Sequence, residues 1–461
     1  LWIGQAIDES TRREKMKQDL QGNALTGATS ETLPLYEEAI SGFNEFRGDP
    51  VGLLDQAMGL APGFAMAFIA KACLYVTSSE PAAMQEAAAL IARVKGLPLN
   101  DREQSLASAI ELASKGLWMD SALALDRHSL HYPLDLLALQ TGHLIDFLCA
   151  NARNLRDRIA RALPAWTREV PAYPTVLGMY AFGLEECADY ARAEETGRRA
   201  LEGRPHDSWA HHAVAHVMEM QGRAEDGIHW MTDRQAYWDT PDNFFKVHNW
   251  WHKALCHLEV DQKDQAIAIY DGPVRQQRSQ TAMDLVDASA LLWRLQMSGC
   301  DVGQRWQELA DCWLPHADGR SYPFNDWHAA MALLGADRHQ ELDEVRLRLR
   351  KTRAAGGESG RWAGQFGLPL VEGFAAFHRG EYARAMELLY PVRNIVNAFG
   401  GSHAQRDIID WTIAEAALRA GQWPEATGLV NERLAHKPSS AVNWSFLARL
   451  HKPVCRVQKA G

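Results

Sequence analysis

Gly380-Glu381-Tyr382-Ala383-Arg384-Ala385 repeats an earlier segment, Ala188-Asp189-Tyr190-Ala191-Arg192-Ala193, almost letter for letter. In each, a turn-forming position is followed five residues later by alanine, and a small residue stands seven positions before the turn, Gly373 in one case and Ala181 in the other. A helix-turn-helix unit about 34 residues long has this signature, with the turn at position fifteen and small residues at positions eight and twenty. The small residues are needed because the two helices of a unit cross closely there. The same register fits the segments turning at Gly222, Asp261 and Gly421, with Ala215, Ala254 and Ala414 at position eight and Gly227, Ala266 and Ala426 at position twenty. The segment at Asp337 fits more loosely, with Ala330 at eight but Leu342 at twenty.

Outward from these words the whole chain reads as helix. Ala, Leu, Glu and Arg dominate, apolar residues recur every three to four positions, and β-branched alternation is almost missing. The expected fold is all-α, a tetratricopeptide-like α-α superhelix with a concave inner face. Weaker copies at Ser41 to Leu53 and Ala109 to Ser121 extend the pattern towards the N-terminus. Residues 1–170 are thus expected to form degenerate repeats and residues 171–461 the main repeat body with its inner groove, within one continuous domain. Breaks are expected at Thr240 to Asn243, Pro315 to Pro323 and the Gly-rich Ala354 to Gly360.

The 461 residues are 47% hydrophobic and 23% charged, in the range of globular proteins, and no apolar run is long enough to span a bilayer. A formal charge of -10 with no basic cluster leads us to expect no nucleic-acid partner and no membrane partner. The seven cysteines, Cys455 among them, are scattered without a CxxC pair, which fits free thiols in a reducing cytoplasm. The chain starts at Leu1 rather than Met, so a leader removed ahead of it is compatible with the sequence. A homodimer is a fair expectation for a solenoid with apolar ends.

Several longer words are similar to those of the tetratricopeptide repeat protein 38 family. They include Gly178-Met179-Tyr180-Ala181-Phe182-Gly183-Leu184-Glu185-Glu186, Trp209-Ala210-His211-His212-Ala213-Val214-Ala215-His216-Val217 and His248-Asn249-Trp250-Trp251-His252. Tyr270-Asp271, Leu291-Leu292-Trp293-Arg294-Leu295, Asp301-Val302-Gly303-Gln304-Arg305-Trp306 and Gly401-Ser402-His403-Ala404-Gln405-Arg406-Asp407 follow in order. The resemblance covers most of the chain and implies the same superhelical fold. It implies no particular chemistry, since a fold does not carry a function.

The register itself nominates residues. Positions two, five, nine and twelve of each first helix line the concave face, and in one unit they hold Trp209, His212, His216 and Glu219. Neighbouring units contribute Phe182 and Glu185, then His248 and Trp251, then Trp327 and Trp411. His212, Trp251, Trp327 and Trp411 all fall at position five and are expected to form a ladder along the inner wall, whereas His252 and His328 fall at position six, turned away from it. His212 with His216, His248 with His252, and His403 with Asp407 have the four-residue spacing that places two ligands on one helical face. Ala213 stands where a zincin would carry its general-base Glu, so no metal ligands are assigned and the cofactor stays unknown, a metal ion being the minority reading.

The favoured reading is a small molecule or peptide bound in the concave pocket, with enzymatic activity left open. In that reading His212 or His216 acts as general base, Glu219 or Glu185 orients it and Arg406 neutralises an anion, while Glu185, Trp209, His248, Trp251, Trp327, His403, Asp407 and Trp411 contact the ligand. The alternative is a non-catalytic protein-protein interaction scaffold. Ser402 reads as an N-cap behind Gly400-Gly401, Asp284 and Asp287 as charges at a helix start, and Trp293, Trp306 and Trp313 as core.

Overall fold

A computed structural model describes residues 16–451. Leu1 and Cys455 lie outside the described residues. After one two-stranded antiparallel pairing, Lys17–Gln18 with Ala24–Leu25, the chain is a succession of helical pairs. The first helices of the pairs are Thr32–Glu45, Ala65–Thr77, Asp101–Ser114, Leu136–Leu148, Tyr173–Glu186, Ser208–Met220, Lys246–Glu259, Ala282–Met297, Pro323–Gly335, Leu368–His378 and His403–Ala420. Each packs on the helix that follows it, and Ala441–His451 closes the series. The fold is an all-α, tetratricopeptide-like superhelix.

Position fifteen is where each hairpin reverses, and the backbone shows why. Ala188, Gly222, Asp261, Asp337, Gly380 and Gly421 all have left-handed φ, between 56° and 79°. Glycine meets that demand without strain, and aspartate tolerates it better than most residues. Positions eight and twenty are fully enclosed: Ala181, Ala254, Ala330 and Ala414 are all 0% exposed, as are Ala193, Ala266, Ala385 and Ala426. At Gly373 an added Cβ would stand 2.4 Å from Leu389, so the helices of that unit already touch. The expected breaks at Thr240 to Asn243 and Pro315 to Pro323 are loops, and the third is concentrated at Gly356-Gly357, where both residues have left-handed φ.

The two helices of a pair have different lives. His339–Ala355 buries only Leu342, Val345 and Leu349, a single stripe at helical spacing. Ser208–Met220 buries every residue except its last. A helix buried all round needs neighbours on every side, and they come from distant units. His403–Ala420 touches both Ser208–Met220 and Ala282–Met297. Asn325 donates to the carbonyl of Ser79 at 3.1 Å, the amide of Ala282 to Glu80 at 2.8 Å, and Tyr322 to the carbonyl of Leu148 at 2.9 Å. Trp293 donates to Thr412 at 3.2 Å, and Arg294 to the carbonyl of Ala404 at 2.9 Å.

The superhelix therefore winds so tightly that first helices of distant units meet on its inside. The position-five ladder is corrected by this packing. Trp327 is enclosed by Phe324, His328 and Phe374, and Trp411 lies against Phe446 under Arg433, so neither lines an open inner wall. Trp293, Trp306 and Trp313 are core residues. Among the described residues no helix is long and apolar enough to cross a membrane, and Cys73, Cys149, Cys187, Cys256, Cys300 and Cys312 are free thiols.

Candidate functional site

Two first helices of adjacent units, Ser208–Met220 and Lys246–Glu259, each offer two histidines four residues apart. That spacing puts both rings of a helix on one face, and the two faces meet. One ring nitrogen from each of His212, His216, His248 and His252 lies within 4.8 Å of the others, and all four residues are buried. Nε2 of His248 is 3.0 Å from Nε2 of His212 and 3.2 Å from Nε2 of His252.

Carboxylates surround the imidazoles. His248 Nδ1 donates to Asp287 at 2.8 Å, and His252 Nδ1 donates to Glu219 at 2.8 Å. Glu185 lies 3.4 Å from His216 Nδ1. An ionised carboxylate only accepts, so the protons of His248 and His252 reside on Nδ1. Their Nε2 lone pairs then point at each other across 3.2 Å, and one N–H from His212 can satisfy only one of them. Nδ1 of His212 and both ring nitrogens of His216 have no hydrogen-bond partner.

Charge and burial reinforce the picture. Glu219 is balanced by Lys437 at 3.7 Å and Glu186 by Arg406 at 3.5 Å. Glu185 and Asp287 form ion pairs only with histidine among the described residues, leaving two carboxylates without a Lys or Arg. Burial, followed by the charge of Glu186, raises the Glu185 carboxyl well above the usual range. Burial also pushes His216 down to about 4, and burial with the neighbouring His216 lowers His212 and His252 well below the ordinary imidazole value. His212, His216 and His252 are thus held neutral, which is the ligand form.

The cluster forms the inner end of a cavity of about 240 Å³. His212 and His248 border it, and its walls are mainly Phe43, Phe46, Leu144, Phe147, Trp209 and Phe245. Trp209 stacks on Phe46 with centroids 5.3 Å apart and donates to His143 at 3.1 Å. Exposed Phe244 and Thr281 mark where the cavity approaches the surface. Trp251 stacks on His248 at 5.3 Å and backs the cluster without bordering the cavity.

The structure thus brings together His212, His216, Glu219, Glu185, His248, Trp209 and Trp251. Others nominated from sequence stand apart. Arg406 donates to the carbonyls of Gly400 and Gly401 and meets the cluster only through Glu186. His403 is partly exposed, with Nε2 donating to the Glu186 carbonyl at 3.2 Å. Asp407 pairs with Arg433 at 2.7 Å; burial would raise its carboxyl, but Arg433 and Lys437 outweigh that and hold it low. Ser402 caps its helix, reciprocally with Gln405.

Two readings are corrected. His252 does not turn away but joins the cluster, because position six lies four residues after His248 at position two and shares its face. Asp287 is not a solvated helix-start charge: it is fully buried and fixes His248. The sequence offered no signal for Asp287, since the helix that brings it to His248 belongs to the next unit.

No protein-family model matches the chain. Among solved structures it is similar in fold to a monomeric mutant of IFIT1 with Gppp-AAAA, at 12% identity, a TM-score of 0.38, and coverage of 92% of this chain and 95% of that one. Human IFIT1 dimers with PPP-AAAA and with m7Gppp-AAAA match at 11% and 12% identity and TM-scores of 0.40 and 0.38, each covering 95% of both chains. The expectation that nucleic acid is excluded is corrected by these matches. The matched IFIT1 chains are described with Gppp-AAAA, PPP-AAAA and m7Gppp-AAAA.

Proposed function

We propose that this chain is a metalloprotein in which His212, His216, His248 and His252 hold one divalent transition-metal ion at the inner end of an apolar cavity, where a small molecule is bound and transformed. One observation carries the reading: four buried imidazoles converge, and the two whose protons are fixed by carboxylates point bare nitrogens at each other across 3.2 Å. A cation between them turns that repulsion into ligation. The carboxylates behind His248 and His252 orient those rings and raise their basicity, the usual outer shell of a metal-binding histidine. Asp287, a buried carboxylate without a Lys or Arg, is a negative charge that a bound cation would offset.

All-imidazole ligation favours zinc, iron, copper or nickel over magnesium or calcium. Such an ion supplies Lewis acidity and can lower the pKa of a bound water. The residues supply binding and orientation: Asp287 and Glu219 fix the rings, and the aromatic walls hold the apolar body of the ligand. The enclosed shape favours a small molecule over an extended peptide, which needs an open trough.

The sequence words quoted above support membership of the tetratricopeptide repeat protein 38 family, and the free cysteines support a reducing, cytoplasmic setting. Elemental analysis of untagged protein decides the central point. We expect about one transition-metal equivalent per chain, lost in His248→Ala and His252→Ala variants that keep their helical circular dichroism. A metal-free wild type that takes up none on reconstitution refutes the reading.

A further inference from the structure

The four histidines are not equivalent, and the difference points to where a ligand attaches. His216, His248 and His252 each have a carboxylate at Nδ1, from Glu185, Asp287 and Glu219. His212 has none: its Nδ1 is buried and without a partner. Apart from the other three imidazoles, aromatic rings surround it, with Trp209 at 4.9 Å, Phe182 at 5.1 Å and Phe245 at 5.2 Å between centroids. Such contacts hold a ring by shape but do not fix its rotation as a charged acceptor does.

His212 is also placed differently. Of the four, only His212 and His248 border the cavity, and His248 is tied to Asp287. Of the two histidines on the cavity, His212 is thus the one without a carboxylate, held only by the 3.0 Å contact of its Nε2 with His248. Two ligands fixed by hydrogen-bonded carboxylates, a third beside Glu185 and one exchangeable position match the three-plus-one pattern of catalytic rather than structural metal centres.

The walls specify the rest of the ligand. The one acidic side chain on the lining besides the histidines' own surroundings, Glu80, already accepts the amide of Ala282 at 2.8 Å. Ser79 accepts from Asn325 through both its carbonyl and its hydroxyl. Glu80 is thus the single charged side chain on the lining besides the histidines, with one oxygen already engaged, and most of the remaining wall is apolar. An apolar cavity of about 150 Å³ accommodates benzene, so the 240 Å³ here takes a ring of that size with a short substituent.

We propose that His212 is the exchangeable ligand of the four-histidine centre, and that the position it covers takes the coordinating head of a small molecule whose body is a single apolar group in the cavity. The proposal rests on the metal reading above. The test uses full-length, cobalt-loaded protein, whose visible absorption reports the coordination number. Metal content is measured first, and wild-type protein that binds no cobalt overturns the four-histidine reading itself.

Three probes then separate head from body: phenylacetohydroxamate has both, acetohydroxamate only the head, and phenylacetamide the ring with no chelating group. We expect phenylacetohydroxamate to change the cobalt spectrum and bind at least tenfold more tightly than acetohydroxamate, and phenylacetamide to leave the spectrum unchanged. His212→Ala should keep about one metal per chain and still take the probe, while His248→Ala loses the metal. His212→Gln, closer in size, repeats the measurement if the alanine variant does not fold. Loss of metal in folded His212 variants as complete as in His248→Ala overturns the proposal, and so does equal affinity for the two hydroxamates.

Discussion

Replacing Asp287 by Asn tests the metal centre at a residue that would never touch the metal. The Asp287 carboxylate accepts from His248 Nδ1 at 2.8 Å, is 0% exposed, and has a second oxygen with no partner. With water excluded, its charge acts on the imidazole with less screening than at the surface. The amide keeps the shape but removes the charge. If it flips so that its NH2 faces Nδ1, it also moves the imidazole proton to Nε2, the atom that must bind the cation. Loss of such an outer partner typically weakens metal affinity 10- to 100-fold, about 1.4–2.7 kcal/mol. The assay is a zinc competition against a chromophoric chelator, with wild type and variant side by side. Asp284→Asn, one helical turn earlier and with no histidine partner, serves as the control and should stay within about twofold of wild type. An Asp287→Asn affinity equal to that of the control would refute the orienting role and weaken the case for metal.

Three further outcomes test the fold. Burial holds the Asp207 carboxyl at about 7 although its Oδ1 caps the helix that carries His212. A carboxyl raised in the folded state stabilises below its unfolded pKa and loses that contribution as pH rises towards 7. Asp207→Asn, which retains a capping oxygen, should therefore gain on wild type by on the order of 2–3 kcal/mol between pH 5 and pH 8. A pH-independent difference in urea midpoints would exclude this. At Gly183 an added Cβ would stand 2.6 Å from the backbone of Arg156, so Gly183→Ala should lose about 1–3 kcal/mol in the same assay. Ala188 turns with φ of 60°, and Ala188→Gly should raise the melting temperature, by up to about 1 kcal/mol in stability, whereas a decrease would show that the strain there is negligible.

The superhelix was legible because its requirements are local. A left-handed turn and two close helix crossings leave marks at positions fifteen, eight and twenty of one unit, whatever the rest of the chain does. His212, His216 and His248 were legible for the same reason, since spacing along one helix fixes a shared face. His252 was misread because a single groove line was imposed on the helix, although its four-residue distance from His248 already joined them. Trp327 and Trp411 were misplaced because the pitch of the superhelix is set by contacts between remote units, such as Trp293 with Thr412, that no local spacing encodes. Asp287 was missed on similar grounds. An acidic residue near a helix start reads as a solvated charge until the neighbouring helix is laid beside it.

The tight winding also orders events in time. All four cluster histidines and all their carboxylates lie between Glu185 and Asp287, whereas the cavity is completed by Tyr322, Phe324 and Gln405 and by hydrogen bonds joining residues more than 150 positions apart. During synthesis the histidine cluster can assemble well before the chamber above it can shut. Contacts of such long sequence separation slow folding. They also couple the two ends of the chain, so this molecule should unfold as one cooperative body rather than fray repeat by repeat like an open solenoid.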